Sequence, residues 1–248
     1  MVLNRSDTIR ACLESVSSQR YSNIEHILID GGSTDGTLEV LHEYAAGSDQ
    51  VVITSEPDKG IYDAINKGIK LASGDIVGFL HSDDIFSSDG SIAEVVKTLS
   101  KNSLDGCFGN CHFYYKLSEK FPIRVYRISN SWTKLLKFGI IPPHSTLFLK
   151  NDVYKKLGLY STDYKICGDF EYFCRMKKAD IQINYCPNYT LKMKYGGAST
   201  NSTSRRVINT EIYEILSAHS IQKFKFLIYL RYILKIFEIK PRAFLKLR

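Results

Sequence analysis

A chain of 248 residues, 44% hydrophobic and 24% charged, has globular composition and is long enough for one large domain, or one domain and an appendage. No run of about 18 uncharged apolar residues suggests a membrane-spanning helix, the start MVLNRSDTIR lacks the apolar core of a secretion signal, and six cysteines without a CxxC pair or zinc spacing read as reduced cytoplasmic thiols. The net charge of +7 belongs to the tail: residues 221–248 hold eight Lys/Arg and one Glu, whereas the preceding 220 residues balance 25 bases with 25 acids.

The first predicted element is a helix capped by Ser6 or Asp7, with Ile9, Leu13 and Val16 on one face. A strand over 24–29 ends on Asp30. The turn GGSTDGT follows, then a short helix with Leu38, Leu41 and Ala45 aligned. Next come a strand over 51–56, a helix carrying Ile61, Ile65, Ile69 and Ala72, a strand over 75–80 and a helix over about 90–100. Strands alternating with helices predict a parallel α/β sheet with right-handed crossovers. In such sheets ligands sit beyond the carboxyl ends of the strands. Asp30, Glu56, Asp83 and Asp84 all fall at such ends and are expected to line one crevice.

Residues 106–165 are less regular, with strand-like runs CHFYYKL, RVYRI and STLFL and a helix expected near 131–138 around the single Trp. Residues 168–179 read as a helix, DIQINY and YTLKMKY as strands, 196–204 as a mobile polar loop, and 205–240 as one long helix. The pattern begins on a helix. The strand that should precede it survives only as the stub MVLN.

Five features carry chemistry. Adjacent Asp83 and Asp84 after a buried strand invite a hard divalent cation, Mg2+ or Mn2+, shared with substrate phosphates; a solvated loop or a helix cap at Asp84 is the plainer alternative. His81 reads as pocket lining. Asp30 before GGSTDGT can accept hydrogen bonds from a base or ribose, although Ser33, Thr34 and Asp35 would equally build a helix start. Gly60 opens a helix whose amino end, with Lys59, could attract an anion. Asp169, at the start of GDFEYF, suits a general base or an N-cap.

In order, the stretches SDTIRACLESVSSQRYSNIEHILIDGGSTDGT, SEPDKGIYDAINKGIKLASGDIVGFLHSDD, PHSTLFLKNDVYKKLGLYSTDY and GDFEYFCRM resemble the family 2 glycosyltransferases of the GT-A fold, in particular those of bacterial capsule, O-antigen or colanic-acid-type assembly. The resemblance implies a Rossmann-like, mostly parallel sheet flanked by helices, with the central first strand truncated. It implies inverting transfer from a nucleotide diphospho-sugar, a UDP-sugar first among them, to a glycan or polyprenyl-phosphate-linked acceptor. Asp30 then matches the aspartate that binds the base, and Asp58 and Lys59 lie beside the nucleotide. Asp83 and Asp84 match the acids of the DXD type, with Asp84 at the metal. Asp169 matches the general base, Gly168 stands at the usual Glu position, and His144 matches an acceptor-side residue. His81 replaces the first acid of the common DXDD pattern, and Leu3 stands where an aromatic often flanks the base. A binding module, or a pseudoenzyme crippled by the missing strand, is the competing reading.

Residues 1–204 are expected to form the catalytic domain and 205–248 an amphipathic appendage. Arg231, Lys235, Glu238 and Arg242 form a polar stripe on an otherwise apolar helix, which suggests contact with the anionic inner face of the cell membrane. The high apolar content argues against a nucleic-acid partner.

Overall fold

A computed structural model of the chain describes residues 1–101, 103–196, 204–221 and 225–238, with the side chains of the last helix described over 226–232. The first half follows the predicted alternation: α1 (Ile9–Ser17), β1 (His26–Asp30), α2 (Thr37–Ala45), β2 (Val51–Ser55), α3 (Ile61–Leu71), β3 (Ile76–Gly78), β4 (Asp84–Phe86) and α4 (Ser91–Lys101). The apolar positions spaced for a helix are the ones that end up inside. Ile9, Leu13 and Val16 of α1, and Ile65 and Ile69 of α3, are buried.

The second half adds β5 (Gly106–Tyr114), β6 (Arg124–Tyr126), β7 (Phe148–Lys150), α5 (Asn151–Leu157), α6 (Gly168–Lys178), β8 (Ile183–Lys194), α7 (Ser204–Ala218) and α8 (Lys225–Glu238). Strands β1 and β2 pair in parallel; the larger sheet runs β3-β7-β5-β8-β4, with β6 on β5. Within it β5 and β8 are parallel and the other pairs antiparallel. The runs read as two strands, DIQINY and YTLKMKY, form one strand, β8. The irregularity opposite Phe108 and Asn110 absorbs Pro187, and the Asn110 side chain donates to the Pro187 carbonyl at 3.0 Å.

Strands β1 and β3 do not pair with each other. A cavity of about 510 Å3 lies between them, lined by Leu28, Val77, Ile65 and Val95 among others. Val2 enters this slot: its N–H donates to the Ile29 carbonyl at 2.8 Å, and its carbonyl accepts from the Gly31 N–H at 2.9 Å. Burial lowers the pKa of the Met1 amine beside it.

Two predicted helices differ. Residues 131–138 form 3-10 turns (Asn130–Lys134 and Leu136–Phe138), stopped by Gly139 in the left-handed region at φ 69°. The long helix over 205–240 is two helices, α7 and α8. Ile208, Ile212, Ile215, Leu216 and Ile228 of these helices join the core that holds Tyr62, Trp132 and Phe173. Arg231 also departs from the polar stripe: it is 4% exposed, and its guanidinium donates to Asn209 at 2.7 Å and the Tyr232 hydroxyl at 2.8 Å. A polar partner on α7 draws it inward. The side chains of Lys235, Glu238 and Arg242, and residues 197–203 of the polar loop, lie outside the described residues.

Candidate active site

Asp169 occupies the first turn of α6, where helix N–H groups need acceptors. Its Oδ1 accepts the Phe170 N–H at 2.7 Å and lies 3.3 Å from the Tyr62 hydroxyl, which also accepts the Asp169 N–H at 3.1 Å. No protein hydrogen bond engages Oδ2 among the described residues. Burial raises the carboxyl pKa to about 6, although bonds from Phe170 and Tyr62 oppose the rise. Such a carboxylate is ionised at neutral pH yet basic enough to take a proton.

Gly168, where the family pattern has Glu, has a steric cause. A Cβ there would lie 2.8 Å from the Tyr62 ring. The ring of Tyr62, on α3, fills the place of the missing side chain, and its hydroxyl lies 2.5 Å from the Ile166 carbonyl as well as beside Asp169, whose N–H it accepts. Upstream, Glu211 of α7 is buried and accepts the backbone N–H groups of Lys165, Ile166 and Cys167 at 2.8, 3.1 and 2.9 Å. A helix distant in sequence thus ties down the approach to α6.

An aromatic wall joins Asp169 to His144. Tyr62 stacks on Tyr160 with centroids 6.0 Å apart, and Tyr160 meets His144 edge-on at 5.3 Å. His144 Nε2 lies 2.9 Å from the Tyr160 hydroxyl, and its ring stacks on Phe79 at 5.5 Å. Asn66 pins the wall by bonding both the N–H and the carbonyl of Tyr160, at 2.9 and 2.8 Å. Burial drives the pKa of His144 down to about 3 and that of His81 down to about 4. His81 contributes to the shift at His144, which places the HSDD turn within electrostatic range of the wall. Both imidazoles are neutral at physiological pH.

The two acids of that turn part company. Asp83 lies at the rim, its side chain 32% exposed, held by Arg5 Nε at 3.2 Å and the Thr8 hydroxyl at 2.7 Å. Thr8, not Ser6 or Asp7, precedes α1, and its hydroxyl serves Asp83 instead of capping the helix. Asp84 opens β4 and is 2% exposed. Its Oδ2 has no partner among the described residues. Burial, and then the charge of Asp83, raise its pKa well above the usual carboxylate range. Cross-strand pairing with Met193 of β8 holds Asp84 in the sheet interior.

Asp30 also sits differently from the expected open strand end. It is fully buried, and its oxygens accept from the Gly32 N–H at 3.1 Å, the Ser33 N–H at 3.0 Å, and the Ser33 and Ser55 hydroxyls. Burial raises its pKa, but these bonds outweigh that effect and leave it below the usual range. Asp30 holds its own turn together. The carboxylate nearer the surface is Asp58, whose Oδ2 would meet a Cβ at Gly31 at 2.9 Å. Gly31 is thus required for the close approach of the 30–34 and 56–60 loops. Lys67 clamps the second loop through Asp58 at 2.7 Å and Glu56 at 2.9 Å. Lys59 is exposed, and its N–H donates to Asp63 at 3.0 Å.

The structure therefore brings Asp169, Tyr62, Tyr160 and His144 into one chain of neighbours, with His81 in electrostatic range of His144; Asp83 is partly exposed, and Asp30 and Asp84 lie beneath the surface. Against known families, residues 1–163 match the model of glycosyl transferase family 2. The chain belongs to glycosyl transferase family 2. An uncharacterized glycosyltransferase of Mycobacterium tuberculosis is 36% identical over 176 residues, 69% of this chain and 64% of that protein. A PGL/p-HBAD biosynthesis glycosyltransferase of Mycobacterium bovis is 27% identical over 175 residues, 70% of this chain and 66% of that one. This family 2 chain thus spans less than two thirds of the length of these curated relatives.

Among solved structures, TarS 1–349 of S. aureus in complex with UDP-GlcNAc superposes with a TM-score of 0.66 at 16% identity, covering 89% of this chain and 66% of that one. The mannosyltransferase PcManGT from Pyrobaculum calidifontis, in complex with GDP-Man and Mn2+, gives 0.63 at 16% identity, covering 88% and 61%. The fold of this family 2 chain is GT-A, with a curled mixed sheet and flanking helices.

Sequence reasoning missed Tyr62, Asn66, Tyr160, Glu211, Arg5 and Thr8. GIYDAINKG carried a signal for two of them, since Tyr62 and Asn66 lie four apart on one helix face. Glu211 offered none, because only tertiary contact links α7 to residues 165–167. No group of three or more His, Cys, Asp or Glu among the described residues could by itself hold a metal ion. A single rim carboxylate still fits Mg2+ or Mn2+, because such ions complete their shells with water and substrate phosphate oxygens.

Proposed function

We propose that the chain is an inverting glycosyltransferase acting on a nucleotide diphospho-sugar. The observation that carries this reading is Asp169: one oxygen fixed by Tyr62 and Phe170, the other unengaged, and a pKa raised to about 6. Asp169 takes the proton of an acceptor hydroxyl. The hydroxyl oxygen bonds to the anomeric carbon from the face opposite the diphosphate, the carbon–oxygen bond to the diphosphate breaks, and the nucleoside diphosphate leaves with the electron pair. One displacement inverts the anomeric centre and needs no enzyme nucleophile.

The nucleotide is read as lying along the 30–34 and 56–60 loops. Asp58 and Lys59 face it, and Asp30 supports it from below through its turn. His144 belongs to the acceptor side. Asp83 is the carboxylate offered to Mg2+ or Mn2+, with Asp84 behind it. A divalent ion there would neutralise charge on the leaving diphosphate. UDP-sugars are the first donors to test, since TarS and PcManGT were solved with UDP-GlcNAc and with GDP-Man and Mn2+.

The acceptor is read as a glycan, carried on a lipid, in bacterial surface polysaccharide assembly. No helix among the described residues is long and apolar enough to cross a membrane. Contact with the inner membrane face would come from residues 221–248, where Phe226 and Tyr229 are 67% and 58% exposed and bases outnumber acids eight to one. The test of the activity is donor hydrolysis: the chain is incubated with UDP-GlcNAc, UDP-glucose or GDP-mannose and Mn2+, and nucleotide release is followed. Slow, EDTA-sensitive release is expected from at least one donor. Binding of a donor without any release would instead favour the non-catalytic module.

A further inference from the structure

We propose that the outer end of the ribbon formed by β5, β6 and β8 is a binding subsite for an anionic glycan, the acceptor of the transfer. This inference rests on the transferase reading above. Tyr115, Phe121 and Tyr195 are 53%, 51% and 38% exposed, and exposed aromatics that cluster mark interaction sites. Tyr115 and Tyr195 cluster: they meet edge-on at 5.8 Å, and Phe113 meets Tyr195 at 6.5 Å. The Arg124 guanidinium lies over Phe113 at 4.9 Å and over Tyr126 at 5.1 Å. Aromatic faces pack against the C–H faces of sugar rings, and a stacked guanidinium is preorganised for carboxylate or phosphate.

Charge complementarity selects the glycan. Within 112–127 and 192–195 there are six Lys/Arg and one Glu, whereas the 220 residues before the tail balance to zero. A neutral sugar chain has no use for this excess; one bearing uronates or phosphodiesters does. Register supplies the distance. Asp84 pairs with Met193, Met193 with Phe113, and Phe113 with Arg124. Three strand spacings put Arg124 roughly 14 Å from the acid turn. That span matches a short oligosaccharide running from the ribbon to the turn that carries Asp83.

The experiment is native affinity electrophoresis in gels containing alginate, a polyuronate, or neutral dextran. Wild type is expected to be retarded by alginate far more than by dextran. Tyr115→Ala/Tyr195→Ala should weaken alginate binding at least tenfold and Arg124→Gln about three- to tenfold. The remote pair Lys177→Gln/Lys178→Gln, equal or greater in charge removed, should change it less than twofold. Thermal melting checks that the variants fold, and single Tyr115→Ser serves if the double variant does not. Wild type unretarded by alginate, tyrosine variants retarded like wild type, or a remote lysine pair as damaging as Arg124→Gln each overturn the proposal. Alginate binding is read by electrophoresis and donor turnover by nucleotide release, so failure of the transferase reading and failure of this subsite register in different assays.

Discussion

The start of α6 and the turn at 81–84 each hold a carboxylate with a raised pKa, and they differ in what surrounds it. Asp169 has one oxygen tied to Tyr62 and Phe170 and the other unengaged. Asp84 is 2% exposed with Oδ2 unpartnered. Desolvation is the leading cause of both shifts. A raised pKa therefore does not mark a catalytic acid or base unless an oxygen can also reach the reacting atoms. The region around Asp169 is cross-braced by α3 and α7, whereas Asp84 is set in place by the β4–β8 pairing.

That contrast can be broken by mutation. Asp169→Asn should lower kcat of donor turnover by at least about 10² while donor binding, followed by titration calorimetry, survives. Near-normal turnover would move the base elsewhere. Tyr62→Phe should lower kcat/KM by roughly tenfold to a hundredfold, because the carboxylate loses its positioning contact. Activity requires ionised Asp169, so kcat/KM should rise with pH through about 6 in the wild type. The Tyr62 bond lowers that pKa, so the limb should move to higher pH in Tyr62→Phe. A limb that stays put would leave Tyr62 a purely structural role.

Glu211→Gln should act on stability first. It weakens three charge-assisted bonds to residues 165–167, a loss of about 1–3 kcal/mol by denaturant unfolding. Asp84→Asn should have the smallest effect on turnover, less than about twofold, because the side chain is buried and burial already favours its protonated form. Its signature is in stability. A carboxyl whose folded pKa lies above its unfolded value stabilises fully below the unfolded pKa and loses that contribution as pH rises toward the folded one. Asp84→Asn should therefore match wild type near pH 4 and exceed it near pH 8. A large loss of donor turnover in this variant would return Asp84 to the metal site.

Much of the fold was legible in the chain. The periods of α1, α3 and the strands at 26–30 and 51–55 are local, since burial selects every third or fourth residue in a helix. The long helix over 205–240 was misjudged because apolar spacing continues past the end of α7 at 218. Arg231 looked solvated because nothing nearby in sequence announces Asn209 as its partner.

By itself the sequence determined the order of elements, the family, and Asp169 as the carboxylate to examine, because motif order and helix starts are written in neighbouring residues. Only tertiary structure decided which of Asp83 and Asp84 faces outward, that Asp30 serves its own turn, and that Gly168 makes room for Tyr62. Those outcomes depend on strand register and on contacts between residues as much as 107 positions apart, and direct approach in three dimensions leaves no periodic trace along the chain.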